Sequence, residues 1–309
     1  MVYDKLVKRA TLLAVVAATT LIIIKLIAWW LTDAVTLLAS LFDSSIDMFA
    51  SGINFLLVRY ALLPADRGHA FGHGKAEPLA ALAQSAFIAG SAVFLLLSSI
   101  KSMLDPSPLT FPLVGIFITL ISLVITVILL SYQYSVIKRT SSQAIKADML
   151  HYKSDLLMNG AVLVALLLSW YGFLRADGIF ACLISLYILY SAFNIGAMAI
   201  QSLLDKALPD EAIRKIERIA LSVPHINGVH DIRTRQSGKT TFIQLHLELP
   251  DTMPLIESHT LSDKVMLTIK HAFPDSDITI HQDPVSVVPH ELAEGHELPA
   301  MNQRGEFRK

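Results

Sequence analysis

Residues 42–51 read FDSSIDMFAS and residues 146–161 read KADMLHYKSDLLMNGA, each inside a stretch otherwise apolar enough to cross a bilayer. Asp43 and Asp47 are four residues apart, as are His151 and Asp155, so on a helix each pair projects from one face. An ionisable group at the centre of a membrane helix costs about 2.5–3.5 kcal/mol on insertion scales, so it needs a partner or a function. Three carboxylates and one imidazole supply enough ligands to enclose a divalent metal tetrahedrally.

The rest of the composition suits that setting. Of 309 residues, 53% are hydrophobic and 17% charged, with mean hydropathy +0.54. Soluble domains carry roughly 25% charge, so an integral membrane protein is favoured. The net charge of −1 gives no electrostatic case for nucleic-acid binding. Cys182 is the only cysteine, which excludes an intrachain disulfide framework and any thiolate-rich metal site. Metal chemistry therefore falls to carboxylates and the 11 histidines.

Six apolar stretches approach or exceed the ~20 residues a bilayer requires. They lie near 10–31, 34–60, 76–103, 110–136, 142–170 and 177–204. The first is too long for a signal-peptide core and is read as a span. Lys5, Lys8, Arg9, Arg59, Arg67, Lys75, Lys138, Arg139, Lys146 and Lys206 then fall on one side, and only Lys101 and Arg175 on the other. The positive-inside rule makes the first side, with both termini, cytoplasmic. Trp29, Trp30 and Trp170 fall at the outer interface. Lys25, inside the first span, is expected to snorkel outward. Ala86/Gly90 and Ala192/Gly196 are small pairs at helical spacing that suit close packing of spans three and six.

Hydropathy falls after Leu208, which sets a membrane domain at 1–208 and a soluble domain at 209–284. Pro209-Asp210-Glu211 opens a helix with Ile213, Ile216, Ile219 and Val223 on one face. Strands follow near 228–236 and 240–249, joined at Ser237-Gly238-Lys239. Leu261, Val265 and Ile269 mark a second helix, and 277–283 a third strand, giving αββαβ. Residues 285–309 are polar and aperiodic and are expected to form a mobile tail.

Span two carries a polar stripe of Ser40, Asp43, Ser44, Asp47, Ser51 and Asn54, and span five carries Asp148, His151, Asp155 and Asn159. Facing the stripes together hides both from lipid. A purely hydrogen-bonded seam would use Ser, Asn or Gln more cheaply than three carboxylates. Crowded carboxylates in low dielectric tend to hold protons, and a divalent cation displaces them. One site can then exchange metal for protons. Asp148, a turn nearer the cytoplasm, either orients its neighbours, meets cytoplasmic water or serves as a transient ligand on the entry route.

Other histidines form looser groups. Asp66, His69 and His73 sit in the loop after span two, spaced to close round a metal if the loop folds back and otherwise simply solvated. His246 lies on the polar face of one strand, His281 and Asp283 share a face of another, and His230 ends or begins the first strand. His259 stands at the start of the second soluble helix and is placed to join them. Imidazole and carboxylate together suit zinc or a related borderline ion. His225, His271, His290 and His296 show no grouping.

Beside these two stretches, PADRGHAFGHGKAEPLAALAQS (64–85), LLDKALPDE (203–211), HDIRTRQSGKTTFIQLHLE (230–248) and IHQDPVSVVP (280–289) complete a pattern that resembles the cation diffusion facilitators over residues 5–289. The resemblance implies a six-span all-α bundle with a cytoplasmic, metallochaperone-like αββαβ domain, assembled as a homodimer in the bacterial inner membrane. It implies a transport site on Asp43, Asp47, His151 and Asp155 and a second site on Asp66, His69 and His73. It implies a binuclear site on His230, His246, His259, His281 and Asp283, where metal strengthens the dimer. Lys75 and Asp205 resemble an interlocking salt bridge near the membrane surface. Members with His for the first Asp lean towards zinc, so Asp43 leaves Cd²⁺ and Fe²⁺ open beside Zn²⁺.

The expected function is proton-coupled export of Zn²⁺ from the cytoplasm by alternating access. Two rivals are a membrane metal sensor without transport and an intramembrane metallohydrolase. A hydrolase needs an open coordination position and a general base, yet four protein ligands fill the tetrahedron and the chain has no HExxH pair. A sensor would need only the soluble sites.

Overall fold

The computed structural model describes residues 2–32, 35–104, 113–170 and 176–289. The chain divides into two compact units, Met1–Leu203 and Leu204–Lys309. The first contains α1 (Val2–Thr32), α2 (Val35–Ala61), α3 (Ala76–Leu104), α4 (Leu113–Thr140), α5 (Gln143–Trp170) and α6 (Ala176–Leu203). Among the described residues, four of these, α1, α3, α4 and α6, are long and apolar enough to cross a membrane. The acidic stripes fall on the other two.

Along α2 the usual amphipathic order is inverted. Ser51 and Asn54 are 1% and 3% exposed, whereas Phe49 and Leu56 are 71% and 64% exposed. Polar side chains pack inward and large apolar ones face outward, the order expected of a helix whose solvent is lipid. Tyr152 of α5 ties this arrangement together: its hydroxyl donates to the Ala14 carbonyl of α1 at 3.1 Å and meets Ser51 Oγ of α2 at 2.8 Å.

Helices α3 and α6 form the most extensive helix pair. Gly196 lies against Ser85, where an added Cβ would come within 3.0 Å of Oγ, and Ala192 is buried. The α6 small pair therefore packs as the sequence suggests. The α3 pair does not: Ala86 and Gly90 are exposed, and Ser85, Ile88 and Ala92 occupy the buried face instead. Small residues are common in apolar helices, and their spacing alone does not say which face meets a neighbour.

Glu77 in the first turn of α3 is 5% exposed and clamps three helices at one end. Its Oε2 accepts from Tyr3 Oη at 2.5 Å and its Oε1 from the Gln143 N–H at 2.9 Å, so it also caps α5. Replacing Glu77 with alanine leaves both donors unmatched and is expected to cost about 1.5–3 kcal/mol, the range for hydrogen bonds to charged groups. Thermal unfolding of the purified full-length protein reads this as a clear loss of stability; an unchanged midpoint would refute the clamp.

The second unit contains α7 (Asp210–Leu221), β1 (Gly228–Ser237), β2 (Thr240–Leu249), α8 (Leu255–Ala272) and β3 (Ser276–Pro284). The sheet order is β1-β2-β3, with β1 antiparallel and β3 parallel to β2. Ile243, Leu245, Leu247 and Leu249 of β2 point into a core shared with Ile216 and Ala220 of α7 and Val265 and Ile269 of α8. Strict alternation on β2 sends Gln244, His246 and Glu248 to the opposite face. Residues 285–289, expected to begin the tail, return to this unit: Val285 N–H donates to the Leu249 carbonyl at 3.0 Å and Val288 is buried. The expectation for 290–309 lies outside the described residues.

Candidate metal centres

Among the described residues, three groups of His and Asp converge closely enough to hold a metal ion: Asp47/His151/Asp155, Asp66/His69/His73 and His230/His246/Asp283. In each, one ligand atom per residue lies within 4.8 Å of the others.

The first group joins α2 to α5. His151 Nε2 stands 3.1 Å from Asp47 Oδ1 and 3.8 Å from Asp155 Oδ2. The 3.1 Å approach lacks hydrogen-bond alignment, which leaves Nε2 buried and able to serve as a ligand. Phe87 and Tyr152 pack their rings near the imidazole, at centroid distances of 6.4 and 5.4 Å. The hydroxyl bonds of Tyr152 fix the turn of α5 that carries His151. The three residues line a cavity of about 420 Å³ together with Lys25, Ser44 and Asn159. Asp43 lies on α2, but its side chain is outside the described residues, as are the side chains of Trp170 and Arg175.

Lys25 departs from the sequence expectation. Instead of snorkelling to the interface, its ammonium donates to Ser44 Oγ at 2.6 Å and to the Ser40 carbonyl at 3.3 Å. Two acceptors on α2 replace the water it would otherwise seek. Asp148 is fully buried and accepts a 2.6 Å hydrogen bond from Gln133 Nε2 of α4, which goes against the water-facing alternative for this residue.

The second group occupies the loop between α2 and α3. The backbone N–H groups of His69 and Gly68 donate to Asp66 Oδ1 at 2.7 and 2.8 Å and hold its carboxyl below the usual range. His69 Nδ1 and His73 Nε2 each lie 3.5 Å from this carboxylate. His73 Nδ1 faces the Pro64 carbonyl at 3.2 Å, so the tautomer protonated there leaves Nε2 as a ligand. Tyr60 packs edge-on against both imidazoles. Next in the chain, Lys75 donates to the Ser202 carbonyl of α6.

The third group is set by strand register. His230 of β1 pairs with His246 of β2, which pairs with His281 of β3, so three imidazoles run across one face of the sheet. Asp283, 3% exposed, is their common partner: Oδ2 lies 2.7 Å from His246 Nδ1 and 3.5 Å from His230 Nε2, and Oδ1 lies 3.0 Å from His281 Nε2. A bulge after His230 turns Asp231 towards His246 Nε2, at 3.6 Å. Glu248 Oε1 accepts from His230 Nδ1 at 3.1 Å. His259 does not converge with them in one chain; it is exposed on α8 and faces Asp263 at 3.6 Å. In the same unit Asp205 pairs with Arg235 at 3.1 Å.

Residues 11–204 match the cation efflux transmembrane domain, and residues 208–285 match the cytoplasmic domain of cation efflux proteins. The chain belongs to the cation efflux family, the cation diffusion facilitators. It is 55% identical over 289 residues to the cation-efflux pump FieF of Escherichia coli, covering 94% of this chain and 96% of that one. Among solved structures, CzrB in its Zn form is 31% identical over 26% of this chain and 94% of its own, with TM-score 0.26. The metal-bound C-terminal domain of the CzcD transporter from Thermotoga maritima is 25% identical over 24% of this chain and 88% of its own, with TM-score 0.24.

Membership makes the chain a membrane-embedded cation transporter and sets aside the hydrolase reading. In this cation efflux protein, sequence reasoning missed Glu248, Asp231 and Gln133 as partners of the candidate ligands. Glu248 was legible, since it shares a strand face with His246 two residues earlier. Gln133 shares a face of α4 with Ser122 and Thr126, at successive spacings of four and seven residues, a pattern the sequence reading did not use.

Proposed function

We propose that this cation efflux protein exports Zn²⁺, with Cd²⁺ and Fe²⁺ as further substrates, from the cytoplasm in exchange for protons. The observation that carries the reading is the convergence of Asp47, His151 and Asp155 on one cavity between helices that otherwise face lipid. Asp43, a turn before Asp47, completes a tetrahedral set. Metal and protons compete for the same carboxylates and imidazole, so occupancy by one releases the other.

On this reading all six long helices span the bacterial inner membrane with both termini cytoplasmic, as the Lys and Arg distribution suggests. The cavity is lined by Lys25 and Ser40 as well as the ligands, and the proposed orientation puts those two residues towards the outer face, which makes the conformation outward-open on this reading. Ala81, Ala147 and Ala199, all fully buried, pack together at the end that this reading makes cytoplasmic. Alternating access then needs the α2–α5 pair to rock against α3 and α6.

The loop group Asp66/His69/His73 serves as a second metal site. The sheet group serves as a regulatory centre on His230, His246, His281 and Asp283, with His259 as a further exposed ligand; its imidazole and carboxylate donors fit zinc. Metal held there strengthens a homodimer of the cytoplasmic domain.

The test is metal flux in proteoliposomes under an imposed proton gradient, comparing Zn²⁺, Cd²⁺, Fe²⁺ and Mn²⁺. Zinc flux that rises with the gradient is expected. Flux insensitive to the gradient would overturn proton coupling.

A further inference from the structure

The transport reading leaves a second polar level unused. One turn before His151 on α5, Asp148 is 0% exposed, and so is Gln133 on α4. Gln133 Nε2 donates to Asp148 Oδ2, but Asp148 Oδ1 and Gln133 Oε1 have no hydrogen-bond partner among the described residues. Asn54, two turns beyond Asp47 on α2 and 3% exposed, is the other amide close enough to act on this carboxylate, and neither of its amide atoms meets a partner. Three helices thus bring three unpartnered oxygens, beside one unpartnered amide nitrogen, Asn54 Nδ2, to one buried level. Buried polar groups in native proteins are almost always satisfied, so such a cluster calls for a ligand.

One member of this level also borders open space. Asn54 lines a second cavity of about 240 Å³ between α2 and α3, where the buried Gln84 also leaves its Nε2 unpartnered. Phe87 lines both this cavity and the larger one that holds Asp47, His151 and Asp155. Ser51 and Tyr152, joined at 2.8 Å, lie on the same two helices as the two levels.

We propose that Asp148, Gln133 and Asn54 form a staging site, which takes a divalent cation from the cytoplasmic side and passes it one helical turn outward to Asp47, His151 and Asp155. The proposal rests on the transport reading. The donors are all oxygen, so the site suits a partly hydrated cation and discriminates less between Zn²⁺ and Mn²⁺ than the imidazole-containing set does. A charged carboxylate on the route offsets part of the hydration that the ion gives up on entry.

The experiment measures initial rates of Zn²⁺ and Mn²⁺ uptake against concentration, using full-length protein in proteoliposomes. The proteins compared are wild type, Asp148→Asn, Asn54→Asp and His151→Ala. Asp148→Asn keeps size and an amide partner while removing the charge; it is expected to raise KM for both metals about tenfold, the low end of effects seen when groups supporting a metal site are removed. Asn54→Asp adds a carboxylate at this level and is expected to lower KM for Mn²⁺, an outcome that a purely structural role would not give and that decides the matter if Asp148→Asn fails to fold. Wild-type KM values in Asp148→Asn, or no gain in Asn54→Asp, would overturn the staging site. So would a shifted pH profile of flux at unchanged KM, which would make Asp148 a proton carrier. Zinc flux in wild type and its loss in His151→Ala keep the transport reading standing whichever way these variants fall; absence of flux in wild type would overturn that reading itself.

Discussion

Replacing His151 with alanine is expected to abolish zinc flux in proteoliposomes while the helical unit stays folded. His151 Nε2 is the atom that approaches both Asp47 and Asp155, at 3.1 and 3.8 Å. Without it the site keeps only carboxylates, which suit harder ions and hold Zn²⁺ less well. Losing a ligand removes at least the roughly 10–100-fold that even supporting groups contribute to metal affinity. The fold tolerates the change because the side chain borders a cavity of about 420 Å³, and the packing of α5 on α1 and α2 rests on Tyr152. Circular dichroism should match wild type while zinc uptake falls to that of empty liposomes. Uptake within twofold of wild type would remove His151 from the site.

Replacing Asp283 with alanine is expected to erase the effect of zinc on the cytoplasmic domain. Its two oxygens contact all three aligned imidazoles, at 2.7, 3.5 and 3.0 Å. A metal bound only by the folded domain, at about 100 times its Kd, stabilises that domain by about 2.7 kcal/mol, or ~100-fold in local opening. Hydrogen exchange of the full-length protein reads this directly on β1, β2 and β3. In wild type, zinc should slow exchange of these amides by up to that factor. In Asp283→Ala it should leave exchange nearly unchanged. Equal protection in both proteins would place the metal elsewhere.

Much of this architecture is legible in the chain because its signals repeat. The alternation of Ile243, Leu245, Leu247 and Leu249 sets β2 at Thr240–Leu249, the bounds read from sequence, and places His246 on the open face. The four-residue spacings of Asp43/Asp47 and His151/Asp155 mark the two helices, α2 and α5, on which Asp47, His151 and Asp155 converge. What stays hidden depends on single residues meeting across elements. Nothing local says that Lys25 finds Ser44 or that Gln133 finds Asp148. Those contacts depend on the relative rotation of helices, which an apolar helix does not record. The bulge that turns Asp231 towards His246 is likewise a property of the β1–β2 register. His259 shows the converse: its type and spacing suggest a ligand, yet in one chain it faces Asp263.

The central claim is that one site carries metal outward and protons inward. It is tested most directly by recording zinc and proton movement together, in sealed proteoliposomes loaded with a zinc-sensitive and a pH-sensitive dye. The account predicts that zinc entering in one direction is matched by protons leaving in the other, and that both fluxes vanish together in His151→Ala. Zinc movement with no opposing proton flux, or proton movement that persists when His151 is gone, would contradict it.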